Sequence, residues 1–449
     1  MYRVDYSFFV LIGFVLLFDQ FGIPGFEPLT MQVEYFKNFK EISFLPTFNA
    51  GVFNAIEVHF ILLLIVFMII QSVKKEFEFN RIAVWGAFLL FIGWLMFSFL
   101  LGIKRGGEIL TAFWEVRALF YFSILYLVIP QVVQTRKQLE ILLWIFIVVI
   151  SIKAFQGIAR FTWLGFSFQG LPALTAHEDP IFMNTLFILL FGFLVYKDRS
   201  PHKVALVLLF IPLLAGSFVS QRRAAIAAFA VSSAIFFVLL PGQLKLKFIK
   251  VAFPVLISVV LYGAAFWNSN STIAKPVQMV KSGIEKPDRH ENPEDYYSNL
   301  FREFENFNLA YTARKNPLFG TGYGRKFEQP LKLAEISFPL KDYIPHNQIL
   351  WVAAKTGIIG FFLFWFFFNS FALQGAHILQ NLRSPFLKAV CTMIVVAIIN
   401  QMVASFFDLQ LTFYRNMIYL GTLMGLLPVL QKIDSEEGED LEEVQEPPV

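Results

Sequence analysis

Three places in the chain carry residue types whose spacing suits chemistry. The stretch "NPLFGTGYG" at 316–324 sets glycines at 320, 322 and 324. Glycine allows positive φ and close backbone approach, so such a run can form a turn, a phosphate cradle or, as Gly-Tyr-Gly, a potassium filter. Further on, His346 and Asn347 open "HNQILWVAAKTGIIG". An imidazole changes charge near neutrality and can accept a proton from an attacking hydroxyl. Arg222 and Arg223 lie side by side in "SQRRAA" at 220–225. Guanidinium groups hold phosphate oxygens through paired donors and stay charged at physiological pH. Fixed cations of this kind can stabilise negative charge that develops on a phosphate.

The surroundings of the glycine run narrow its role. A potassium filter follows an apolar pore helix, whereas here "YTARKNPLFG" is charged. A nucleotide loop needs a strand before it and a helix directly after it, and "RKFEQPLKLAEISFP" offers no such unit. A turn remains, whose N–H groups could approach a ligand. Before it, "NPEDYYSNLFREFENFNLAYTARKNP" reads as a helix. Asn292 is the expected N-cap, Pro293 takes the first position, and Glu294 and Asp295 occupy the first turn. Leu300, Phe304, Phe307 and Tyr311 recur at i, i+4, i+7 and i+11, so they form the expected apolar face. A second short helix is expected after Asn347, broken by Gly357 before the next apolar run.

The elements that must position these residues are membrane helices. Of 449 residues 57% are hydrophobic and 56 are Phe, while 16% are charged, which excludes a soluble fold. The fold class read from this is an all-α polytopic membrane protein. It has about twelve candidate spans, at roughly 6–24, 50–72, 81–102, 111–134, 138–157, 179–197, 203–220, 222–240, 246–267, 357–376, 385–407 and 410–430. The first run, short and followed by Asp19, reads as a retained span. Lys and Arg favour one set of loops, including Lys74, Lys75, Arg81, Arg136, Lys137, Lys203, Lys245, Lys247, Arg383 and Lys388. The opposite set holds fewer, among them Lys37, Lys40, Lys104, Arg105 and Arg160. Both termini are therefore expected in the cytoplasm, with the long polar segment outside. Four regions result: an N-terminal bundle at 1–267, a long extracytoplasmic loop carrying the motifs at 268–356, C-terminal helices at 357–431, and an acidic, disordered cytoplasmic tail at 432–449. The single Cys391 lies within a span, so no disulfide braces the loop.

The ordered pair of motifs resembles the O-antigen ligase and O-antigen polymerase superfamily of bacterial envelope glycosyltransferases. "NPLFGTGYG", "HNQILWVAAKTGIIG", "SQRRAA" and Arg302 in the amphipathic helix carry the likeness. The resemblance implies a C-type glycosyltransferase-like bundle in the bacterial inner membrane with its active face periplasmic. It implies transfer of a glycan, with inversion, from an undecaprenyl-diphosphate carrier to an acceptor glycan, either lipid A core or a growing polysaccharide. Membrane lipid is a further expected partner and nucleic acid is not.

On this reading His346 is the catalytic base, or orients the acceptor hydroxyl. Arg222, Arg223, Arg302, Arg117, Gly322, Gly324, Asn347 and Arg415 are the candidate substrate-binding residues. Glu115 and Arg117, and likewise Asp408 and Arg415, can equally form structural ion pairs near the outer ends of spans. Among the other histidines only His177, in "TAHEDP", is a lesser candidate for shaping the acceptor site. No cofactor or metal is expected, since the outer loops lack Asp-x-Asp and His/Cys clusters and arginines can neutralise a diphosphate. The alternative is a transporter or flippase of lipid-linked oligosaccharide, which also needs a charged cavity in a helical bundle. The residues do not separate ligase from polymerase.

Overall fold

The structure is a computed structural model, and it describes residues 4–443 apart from 20, 24, 38–53, 74–81, 172, 270, 286–288, 291–292 and 337. The expected Asn292 cap and the basic residues Lys40, Lys74, Lys75 and Arg81 lie outside the described residues. Among the described residues the regular structure is helical throughout. In chain order the helices are α1 Val4–Leu17, α2 Leu29–Gln32, α3 Ala55–Val73, α4 Trp85–Lys104, α5 Ile109–Val132, α6 Arg136–Trp163, α7 Asp179–Val195 and α8 Pro201–Ser220. They continue as α9 Arg223–Leu239, α10 Gly242–Phe266, α11 Lys275–Ile284, α12 Pro293–Lys315, α13 Gln348–Asn381, α14 Pro385–Ser405, α15 Tyr414–Gly425 and α16 Leu427–Glu443.

Eight of the described helices are long and apolar enough to cross a bilayer: α3, α4, α5, α6, α8, α10, α13 and α14. Helices α1, α7 and α9 are apolar but shorter. At 1.5 Å per residue the 14 residues of α1 reach about 21 Å, less than the roughly 30 Å of a hydrocarbon core. Eight is thus the number that length and composition support, against the twelve expected. The phenylalanines build the centre, where Phe91, Phe122, Phe364, Phe367, Phe368 and Phe371 pack with Tyr126. The long helix α10 instead exposes Leu246, Phe253, Leu256 and Val260, as a lipid-facing helix does.

The acidic segment from 432 is helical in α16 as far as Glu443, and acidic side chains of its first half have partners. Asp434 accepts the backbone N–H groups of Arg383 and Ser384 at the start of α14, and Glu437 pairs with Arg136 at 2.8 Å. Residues 444–449 lie outside the described residues. The buried face of α12 is not the expected one. Glu305, Asn308, Leu309 and Thr312 are buried, while Phe307 is exposed. Hydrogen bonding decides this. Asn308 donates to Leu331 O and accepts from Leu331 N–H (2.7 and 3.0 Å), and the Thr312 hydroxyl accepts from Glu328 N–H. Satisfied polar groups can occupy a face that periodicity alone assigns to apolar side chains.

Candidate functional site

The glycine turn and α13 are built into one another. Gly357 has φ 66 and ψ −175, which opens the α13 ladder. Ile358 N–H, which would otherwise donate to Ala354 O, donates to Pro317 O at 2.8 Å. Ala354 O and Lys355 O then accept from Thr321 N–H and Gly322 N–H, both at 2.9 Å. The turn thus supplies the partners that the break in the helix removes, so the two motifs need one another. Gly322, at φ 80, lies so close to α4 that a Cβ would fall on the backbone of Gly102. Gly324 N–H donates to Glu115 at 2.5 Å, and Glu108 N–H donates to Gly324 O. Beneath them Glu115 and Lys355 form a fully buried ion pair at 2.6 Å, joined by the Trp351 indole N–H. The N–H groups of Gly322 and Gly324 are therefore consumed in packing. Gly320, Gly322 and Gly324 all take positive φ, as a turn requires.

His346 sits just before α13, whose N-cap is Asn347. The Asn347 side chain accepts from Leu350 N–H at 3.0 Å, so its carbonyl oxygen is occupied by helix capping and not free for substrate. His346 meets a residue that motif reading missed. Glu305 on α12 accepts the His346 backbone N–H at 2.9 Å and lies 3.2 Å from Nδ1. The Glu305 side chain is 3% exposed and that of His346 27%. A buried carboxylate on Nδ1 orients the ring and turns Nε2 outward as the open nitrogen. Phe301 packs edge-on against the same ring. The available signal was the placement of Glu305 one helical turn after Arg302.

Arg302 and Arg222 converge on this end of the bundle. Arg222 is the N-cap residue of α9, and Arg302 lies on α12. Neither guanidinium makes a hydrogen bond or ion pair with a described residue, and Arg222 Nε is buried without a partner. Burial works against the charge of each, and Asp408 is the chief opposing charge that each meets. Arg302 also feels Arg223, Glu305 and Arg222, so these groups share one field. Arg223 is anchored, donating to Ser282 at 3.1 Å and lying 3.6 Å from Asp295. Asp408 in turn holds His177 Nδ1 at 2.8 Å. Burial alone would raise the Asp408 carboxyl, but His177 and Arg222 outweigh it and hold it well below the usual carboxylate range.

Two expected binding residues are committed elsewhere. Arg117 pairs with Glu57 at 3.1 Å and stacks 3.8 Å over Trp114. Arg415 is buried, donating to Asp179 at 2.8 Å and to Leu16 O at 2.6 Å, with Glu178 at 3.4 Å. It belongs to a network in which Lys153 and Arg160 hold Asp19. Both guanidiniums are thus held in ion pairs, the alternative that the sequence also offered for them. Among the described residues no group of three or more metal-ligating side chains converges.

The described residues thus bring together apolar helices of membrane-spanning length, a group of arginines and a His–carboxylate pair. Residues 207–365 match the family model described as O-antigen ligase, a segment that contains Arg222, Arg302, the glycine turn and His346. The match covers about a third of the chain and agrees with the resemblance that its motifs carry. A search of curated proteins gave no match.

Proposed function

We propose that the protein transfers a glycan from an undecaprenyl-diphosphate carrier to an acceptor glycan at the outer face of the bacterial inner membrane, with inversion at the anomeric carbon. The observation that carries this reading is the pair Arg222 and Arg302, two guanidiniums that make no hydrogen bond or ion pair with a described residue, in one electrostatic cluster with His346 and Glu305. A lipid diphosphate supplies the direct partner such a pair lacks, and fixed cations stabilise it further as the sugar–oxygen bond breaks. His346 Nε2 accepts the proton of the acceptor hydroxyl, with Glu305 holding the ring and stabilising the imidazolium that forms. The electron pair of the broken bond goes to the diphosphate oxygen, and the acceptor oxygen takes the anomeric carbon.

The test is donor consumption by the purified protein in detergent with a tagged lipid-diphosphate oligosaccharide. Offered lipid A core and a second lipid-linked repeat separately, a ligase elongates the first and a polymerase the second. A donor left intact with both acceptors, yet moved across a vesicle membrane by the same protein, favours the transporter reading.

A further inference from the structure

The site has two His–carboxylate pairs, and the chemistry above uses one. We propose that His177, held by Asp408, is the acid side of the site: its protonated Nε2 donates to the departing diphosphate oxygen while His346 takes the acceptor's proton. This rests on the glycan-transfer reading for its substrate. The geometry repeats that of His346 and Glu305. A buried carboxylate, 7% exposed, lies 2.8 Å from His177 Nδ1, and the His177 side chain is 39% exposed, so Nε2 is the nitrogen left open. Both carboxylates lie in the field of Arg302, and Asp408 is also the main counter-charge of Arg222.

The groups that face this pair come from four elements. They are Glu178 at the start of α7, Arg222 at the start of α9, Arg302 on α12, and Phe413 just before α15, whose ring lies 5.9 Å from the imidazole. Glu178 is drawn toward Arg415, which leaves Asp408 as the carboxylate that sets the orientation of His177.

One imidazole cannot serve both ends of an inverting displacement, because nucleophile and leaving group lie on opposite sides of the anomeric carbon. With two, the protons balance. The acceptor O–H gives its proton to His346, the anomeric carbon–diphosphate oxygen bond breaks as the carbon–acceptor bond forms, and His177 gives its proton to the freed oxygen. Exchange with water resets both rings.

The test compares full-length wild type and His177→Gln in nanodiscs by two readouts. The first is affinity for a fluorescent polyprenyl diphosphate, taken as the ratio of wild type to variant so that other titrations cancel. That ratio is expected to be about tenfold at pH 5.5, where an imidazolium bond to phosphate is present, and to close to one by pH 8.5. The second is the pH profile of kcat. An acid must be protonated to act, so wild type should lose rate as pH rises past neutrality, and His177→Gln should be slower and lack that alkaline limb. Asp408→Asn removes the carboxylate that holds the ring at 2.8 Å, so this variant too should be slower and its alkaline limb weaker. This variant decides the matter if His177→Gln fails to fold. An affinity ratio of one at every pH, or an alkaline limb unchanged in either variant, overturns the proposal. If wild type shows the affinity pattern but cleaves no donor, the diphosphate contact stands and the transfer reading falls. If transfer proceeds with the wild-type profile in His177→Gln, the reverse holds.

Discussion

Replacing Glu305 with Gln tests whether His346 works as an oriented base. The carboxylate accepts the His346 backbone N–H at 2.9 Å and faces Nδ1 at 3.2 and 3.3 Å from its two oxygens. Glutamine keeps one oxygen, so the backbone bond and the fold should survive. The charge that steadies the imidazolium is lost, and so is control of the tautomer. A hydrogen bond to a charged group contributes about 1.5–3 kcal/mol, and each 1.36 kcal/mol is tenfold in rate, so kcat should fall about tenfold to 150-fold. Donor binding, which depends on Arg222 and Arg302, should change little, leaving KM near its starting value. The assay is turnover of a tagged lipid-diphosphate oligosaccharide by purified protein, with thermal unfolding followed in parallel. A Glu305→Gln protein with wild-type kcat beside an inactive His346→Ala would refute the reasoning, because the histidine would then act without the carboxylate.

Three other outcomes follow from the same contacts. In Arg222→Lys and Arg302→Lys the charge remains but the planar fork is lost, so donor use should drop at normal expression; unchanged turnover in both, and in the double alanine variant, removes them from the site. Lys355→Met should lower stability by about 3–5 kcal/mol by stranding the Glu115 charge, and Lys355→Met with Glu115→Leu should recover much of it; equal melting temperatures for Lys355→Met and wild type would mean the pair holds nothing. For orientation, Ser298→Cys should react with an impermeant thiol reagent from the outer face and Ser435→Cys should not, and the opposite pattern reverses the topology.

Residue type carried the reading furthest where a side chain has one strong use. His346, Arg222 and Arg223 were singled out because imidazole and guanidinium suit phosphate-leaving chemistry, and the turn was legible because three glycines ask for the positive φ they adopt. The interlock between the turn and the break at Gly357 was not legible, since the spacing of two motifs does not state which carbonyls lose their partners. Glu305 was hidden by periodicity, which sends Phe307 inward and Glu305 outward, whereas hydrogen bonding to His346 and Leu331 turns the polar face of α12 to the interior. For Arg117 and Arg415 an ion pair was legible but its partner was not, because Glu57 and Asp179 lie far away along the chain whereas the nearby Glu115 and Asp408 pair with Lys355 and His177.

The central claim is that the cluster around Arg222, Arg302 and His346 moves a glycan from a lipid diphosphate. The most direct measurement is the product balance of one reaction: freed polyprenyl diphosphate, glycan joined to acceptor, and the anomeric configuration of the new bond by NMR. Equal amounts of the two products and an inverted linkage are expected, with both products absent in Arg222→Ala and Arg302→Ala proteins that fold normally. A retained configuration, or freed diphosphate with the same yield in the arginine variants, would contradict the account.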